Sequence, residues 1–233
     1  MQQVFRREEV KYVIPLEKYG KLMEIIEPYL EKDQYFEATN ASVYYDTPDR
    51  WLAVQSLEQP LYKEKIRVRS YNTPELSDTV FVEIKKKYNG VGSKRRIPIK
   101  LSDFYEFTST LKFEPTGDFE NDQIMGELLY CFKRYKLEPA LYIAYDRTSY
   151  CDEENPLFRV TFDSDVRLRT TDLKLEAGDA GEKYFKNGEI VMEVKALGAY
   201  PLWFVRALSR LQIYPASFSK YNKAMKRLEE TGF

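Results

Sequence analysis

Lysines and arginines stand at alternate positions along several runs of this chain, and that spacing gives them one chemistry. Lys65, Arg67 and Arg69 alternate with Ile66 and Val68, while Glu83 and Lys85 alternate with Val82 and Ile84. An extended strand sends successive side chains to opposite faces, so each run has one charged and one apolar face. The same arrangement recurs with Arg7, Glu9 and Lys11, with Lys94 and Arg96, with Arg147, with Arg159, and with Glu193 and Lys195. An ordinary half-buried sheet shows water a charge-balanced face. Here the charged face is mostly basic and carries single, spaced glutamates. Arginine's planar fork and lysine's point charge both recognise phosphate oxygens, and a dense ring of them suits a chain of phosphates better than one carboxylate. The sparse glutamates suit Mg2+ or Mn2+, which takes one or two carboxylates and completes its shell with substrate phosphates. Together these are the parts used in phosphoryl transfer, which requires no side-chain base.

The elements that must present these residues follow from periodicity. A first strand over 5–14 is followed by a helix opened by Pro15, with Leu16, Tyr19, Met23, Ile26 and Leu30 at helical spacing. A strand over 41–46 leads through Thr47-Pro48 into a short helix containing Trp51 and Leu52. Three strands then run over 63–71, 80–85 and 93–99, with Asn89-Gly90 as a hairpin turn and Val91-Gly92 extending the loop. Residues 101–122 carry a weak pattern, with Ser102-Asp103 as a candidate cap and 114–118 as a loop. A helix is expected over 124–136, then strands over 139–150, 157–163, 166–170 and 188–195. Two closing helices are expected, one after Pro201 and one capped by Ser219. Lys86, Lys87 and Arg95 are read as lying on the opposite strand face, as solubilising charge. Arg167 and Arg169 fit either face.

Eight or so antiparallel strands, nearly all charged on one side, suggest closure into a barrel with that side inward. The expected class is α+β: a closed antiparallel β-barrel, or tunnel, with flanking helices, formed by one domain over 1–233. Unpaired buried charge costs several kcal/mol against a total stability of about 5–15 kcal/mol, so such a lumen must be wet. On that argument Arg67→Ala and Arg147→Ala should abolish turnover without unfolding the chain.

Composition bounds the function classes. A net charge of −1 with 31% charged residues argues against a general nucleic-acid binder. The absence of histidine removes histidine triads and histidine metal sites. The two cysteines, Cys131 and Cys151, are too few for a disulfide framework. Neither a signal peptide nor a run of about 18–20 apolar residues is present, so a cytoplasmic location is expected. No glycine-rich phosphate loop is found, which disfavours P-loop and Rossmann nucleotide sites.

The ordered set Arg7-x-Glu9-x-Lys11-Tyr12, Tyr44-Tyr45-Asp46, Lys65-Ile66-Arg67-Val68-Arg69, Glu83-x-Lys85, Lys94-x-Arg96, Tyr145-x-Arg147, Arg159-x-Thr161-x-Asp163, Glu193-x-Lys195 and Ser219-Lys220-Tyr221 resembles the VTC (vacuolar transporter chaperone) catalytic domain. That family belongs to the CYTH-like triphosphate tunnel metalloenzymes, and the resemblance covers nearly the whole chain. It implies a polyphosphate polymerase that passes the ATP γ-phosphoryl to a growing chain of inorganic polyphosphate with Mn2+ or Mg2+. By the same resemblance Lys11, Arg67, Arg69, Lys85, Arg147 and Arg159 form the catalytic set. Arg7, Lys65, Lys94, Arg96, Lys195, Lys220 and Lys223 bind substrate, and Glu193, with Glu9 and Glu83, holds metal. Arg7 stands where the wider superfamily has the first glutamate of a Glu-x-Glu-x-Lys signature, a swap that fits the VTC branch. A tunnel triphosphatase and a non-catalytic polyphosphate or nucleotide sensor remain as alternatives. The expected partners are ATP and polyphosphate, with no nucleic acid and with room for a membrane-associated partner.

Overall fold

The computed structural model describes residues 7–58 and 61–231. In chain order the elements are β1 (Arg7–Ile14), α1 (Leu16–Ile26), a 3-10 turn at Glu27–Tyr29, β2 (Leu30–Asp46), α2 (Trp51–Leu57), β3 (Tyr62–Tyr71), β4 (Thr79–Tyr88), β5 (Val91–Lys100), α3 (Leu101–Thr110), α4 (Phe119–Tyr135), β6 (Glu138–Asp152), β7 (Arg159–Arg169), the short β8 (Glu182–Lys183), β9 (Ile190–Leu197), α5 (Leu202–Arg210) and α6 (Lys220–Thr231). The strands pair in the order β1-β9-β7-β6-β2-β3-β4-β5, with β8 beside β7. That order is an open path with β1 and β5 at its ends, so the closure expected from sequence is not among these pairings.

Several expected boundaries move for local reasons. β2 begins at Leu30 and not at 41; in residues 31–39 the aromatics Tyr35 and Phe36 are adjacent among mostly polar neighbours, so alternation gives little signal there. The strands expected over 157–163 and 166–170 are one strand, which passes through Asp165 at φ 45. Asn89 (φ 44) and Gly90 (φ 83) make a two-residue turn, because Tyr88 already pairs with Val91. Val91-Gly92 is therefore strand and not loop. Residues 101–110 form a helix that ends where Leu111 turns left-handed.

The chain divides into two compact units, each drawn from three segments: Met1–Thr39, Tyr145–Val166 and Lys183–Ser219 in the first; Asn40–Ala144, Arg167–Glu182 and Lys220–Phe233 in the second. Each has its own core. In the first, Tyr12 and Ile14 of β1, Phe158, Val160 and Phe162 around β7, and Met192 and Val194 of β9 meet Leu22 and Ile26 of α1 and Phe204 and Ala207 of α5. In the second, Ile66, Val68, Val82, Ile84 and Ile97 meet Phe104 and Phe107 of α3 and Leu128 and Phe132 of α4. One strand face is thereby spent on the helices. The alternate residues are left to form the charged faces.

Candidate functional site

In the second unit the register stacks the charges in rows. Lys65, Lys85 and Lys94 lie directly opposite one another across β3, β4 and β5, and the next row is Arg67, Glu83 and Arg96. Arg69 lies opposite Phe81 on β4 and Ser42 on β2. Glu83 is fully buried. Its Oε2 accepts from Arg67 Nε at 2.8 Å and Nη2 at 2.6 Å, and Lys94 Nζ lies 2.9 Å from Oε1. Burial opposes ionisation of Glu83, but Arg67, Arg69 and Lys94 together outweigh it and hold the carboxyl far below its ordinary range. Arg96 stacks its guanidinium 3.5 Å from the centre of the Phe81 ring.

Two elements outside the strand triplet fix these cations. Arg67 Nη1 donates to the Tyr44 hydroxyl at 2.9 Å, and the Tyr44 ring stacks on Tyr221 of α6 at 4.5 Å. Burial would raise the Tyr44 phenol, yet Arg67, Arg69 and Lys65 bring it below its ordinary value. Tyr221 donates to Asp46 Oδ2 at 2.5 Å, and the same carboxylate accepts Leu52 N and Ala53 N, so it also caps α2. Lys65 donates to Asn222 Oδ1, while Asn222 Nδ2 donates to Ser56 at 3.3 Å. Lys85 has no such holder: among the described residues it makes no hydrogen bond or ion pair. Solvent reaches it, but the protein crowding it disfavours the ammonium. Arg67, Arg69 and Lys94 add to that effect, and only Glu83 opposes it; the ammonium is pushed down to about 7. Among the described residues the Ser42 hydroxyl, buried opposite Arg69, also has no hydrogen-bond partner.

In the first unit the charges balance. Lys11 sits across from Glu193 and Glu9 across from Lys195. The ammonium groups bridge the two carboxylates: Lys195 to Glu193 Oε1 at 2.6 Å, Lys11 to Glu193 Oε2 at 3.6 Å, and Lys11 to Glu9 Oε1 at 3.0 Å. Burial works against the Glu193 carboxylate, but Lys195, Lys11 and Arg147 hold its carboxyl well below the usual range. Arg147 forms a two-pronged pair with the fully buried Asp163, Nε to Oδ1 at 2.6 Å and Nη2 to Oδ2 at 2.9 Å. Arg159 pairs with Asp33 of β2.

The predicted metal ligands separate on these grounds. Glu83 does not fit a metal, since it has no exposed surface through which an ion could reach it. Glu193 and Glu9 fit: two carboxylates share the same pair of lysines there, and among the described residues the buried Thr161 hydroxyl opposite Glu193 has no hydrogen-bond partner. Among the described residues no group of three or more metal-ligating acidic, cysteine or histidine side chains occurs. A divalent ion at Glu193 and Glu9 would need substrate oxygens to complete its shell.

Other expectations change. Lys87 shares the β4 face of Glu83 and Lys85, pairing with Lys63, so it belongs to the basic face and not to the solubilising set. Lys86 and Arg95 do lie opposite, both ion-paired to Glu127 of α4. Arg169 is spent on the backbone, donating to the carbonyls of Asp172, Lys174, Gly178 and Ala180, and Arg167 pairs with Asp179. Lys220 is half-buried and Lys223 exposed on α6. They share a helical stripe with Arg227, which pairs with Glu182; α6 also reaches the basic face through Tyr221 and Asn222. The Arg7 side chain lies outside the described residues. Sequence reasoning missed Asp33, Asp163, Tyr44, Tyr221 and Asn222 as partners of the site cations; the Tyr44-Tyr45-Asp46, Arg159-x-Thr161-x-Asp163 and Ser219-Lys220-Tyr221 motifs contained or adjoined all of them but Asp33.

The VTC domain model matches residues 6–229. The chain belongs to the VTC domain family. Solved structures share its fold over nearly the whole chain. A candidate adenylate cyclase of Bacillus halodurans superposes with a TM-score of 0.55 at 11% identity, covering 97% of this chain and 99% of its own. A candidate adenylyl cyclase of Hippeastrum, described as having a dominant triphosphatase activity, gives 0.50 at 13% identity, covering 97% and 96%. At these identities the likeness is one of fold. No curated protein gave a significant sequence match.

Proposed function

We propose that this VTC-family chain is a metal-dependent polyphosphate polymerase, transferring the γ-phosphoryl of ATP to the end of a polyphosphate chain. The supporting observation is the basic face of β3, β4 and β5, where Lys65, Arg67, Arg69, Lys85, Lys94 and Arg96 surround one sealed carboxylate. A polyanion supplies the charge this face lacks. Arg67 is pre-positioned by Glu83 and Tyr44, so its fork need not reorganise as charge shifts on the phosphoryl oxygens. Lys85 gains a partner, and its proton, when an anion arrives. Glu193 and Glu9 are the carboxylates that would hold Mg2+ or Mn2+, an ion that would supply positive charge to offset that of the phosphates. Lys11 and Lys195, released from them, would turn to phosphate. Barrel closure and the remaining cations, Arg147 and Arg159, are carried in this proposal as the family resemblance implies.

Incubation with ATP and Mn2+ tests it: polymer resolved on a gel supports the reading, and untouched ATP with no polymer refutes it. Release of orthophosphate without polymer would favour a triphosphatase, the activity described for the Hippeastrum protein of the same fold.

A further inference from the structure

The basic face does not stop at the residues that a triphosphate would occupy. One row beyond Lys65, Lys85 and Lys94 stand Lys63 on β3 and Lys87 on β4, directly opposite each other. The third place in that row, on β5, is Gly92. A Cβ there would meet nothing nearer than the Lys86 carbonyl oxygen at 3.9 Å, so the row is open on that side. Like charges directly across a strand pair repel, and among the described residues neither Lys63 nor Lys87 makes an ion pair or hydrogen bond that would relieve it. Lys86, one position away on the other face, shows the contrast: it is neutralised by Glu127. These two continue an uncompensated track.

The dimensions fix what the track can take. Two residues of strand advance about 7 Å, so the rows headed by Arg69, Arg67, Lys65 and Lys63 span roughly 20 Å. Three linked phosphates, whose centres are only two P–O bonds apart, cannot reach from the first row to the last. We infer that Lys63 and Lys87 form an extension subsite for linear polyphosphate, gripping the part of the chain beyond the reacting phosphates. The inference rests on the proposed function for the identity of the ligand, a phosphate chain. It adds that the face selects length.

The test compares binding of tripolyphosphate and of long-chain polyphosphate to the intact protein by calorimetry. It uses wild type, the Lys63→Ala/Lys87→Ala double variant, and Lys112→Ala/Lys133→Ala as a control for lost surface charge. The expected result is tripolyphosphate affinity within about twofold of wild type and long-chain affinity lower by about tenfold or more in the first double variant alone. Its long-chain affinity should also depend less steeply on salt, by about two ionic contacts. Equal losses for both ligands, no loss for the long chain, or no preference for the long chain in wild type would each overturn the subsite. The measurement needs no turnover, so the two readings can fail separately. Failure to make polymer from ATP, alongside lysine-dependent preference for long chains, would remove the polymerase and leave the subsite.

Discussion

Arg67→Ala is expected to destabilise the protein by about 3 kcal/mol, because it strips a sealed carboxylate of its main partner. Glu83 has no exposed surface, and two of its three close nitrogens belong to Arg67. Removing one member of a buried pair costs about 3–5 kcal/mol. Lys94 remains beside Oε1, which puts the expectation at the lower end. For a chain of this length, a loss of about 3 kcal/mol corresponds to a fall in Tm of roughly 6–12 °C. The wet-lumen argument from sequence expects this variant to lose turnover without unfolding; the burial of Arg67 adds a stability cost that argument leaves out. Thermal unfolding followed by far-UV circular dichroism at pH 7.5 checks the number, and Arg67→Ala/Glu83→Gln should regain at least half of the loss. A Tm for Arg67→Ala within about 2 °C of wild type, or no recovery in the double variant, would refute the reasoning. The pH dependence has a matching sign. The Glu83 carboxyl is held below its ordinary value of about 4.3, so the unfolded chain binds the proton more readily. Stability is then fully present above about pH 4.3 and lost as the pH falls below it, and Glu83→Gln should flatten that decline.

Arg147→Ala leaves Asp163 buried without its fork, and should likewise lower Tm by several degrees, with Arg147→Ala/Asp163→Asn recovering part of it in the same melts. Native Lys85 titrates at about 7 and an unfolded lysine near 10.4, so wild-type stability should rise as pH climbs between them; Lys85→Met should lack that rise in a series of melts from pH 6 to pH 10. Glu193→Gln should weaken Mn2+-supported turnover by about tenfold or more while tripolyphosphate binding in EDTA changes little, read by parallel activity and calorimetry. Asn222→Ala removes the amide oxygen to which Lys65 donates and should raise KM for the triphosphate substrate more than it lowers kcat, by a few-fold.

The strand faces were legible because alternation is a strong signal where one face is apolar. Ile66, Val68, Val82 and Ile84 mark the core side of β3 and β4, and the cations follow by parity. Lys87 shows how that inference slips: it shares parity with Lys85, and the register alone makes this plain. The N-terminal half of β2 was illegible, since Glu31, Asp33, Glu37 and Thr39 place polar groups on the face that in other strands is apolar or basic. Asp33 was lost with it as the partner of Arg159. The role expected of Glu83 could not be decided from spacing, because a metal ligand and a sealed counter-ion look alike until burial is known. Tyr221 and Asn222 act across more than 150 residues, on Tyr44, Asp46 and Lys65. No local pattern encodes such a meeting.

The interleaving of segments has a consequence for synthesis. The first unit cannot complete its core until α5 has left the ribosome, and in the second Asp46 waits 175 residues for the Tyr221 hydroxyl that covers it. Strands made early must therefore spend much of translation with unpaired edges, a state prone to self-association and slow to resolve. Nascent chains stalled before residue 220 are expected to need chaperone protection that the released protein does not.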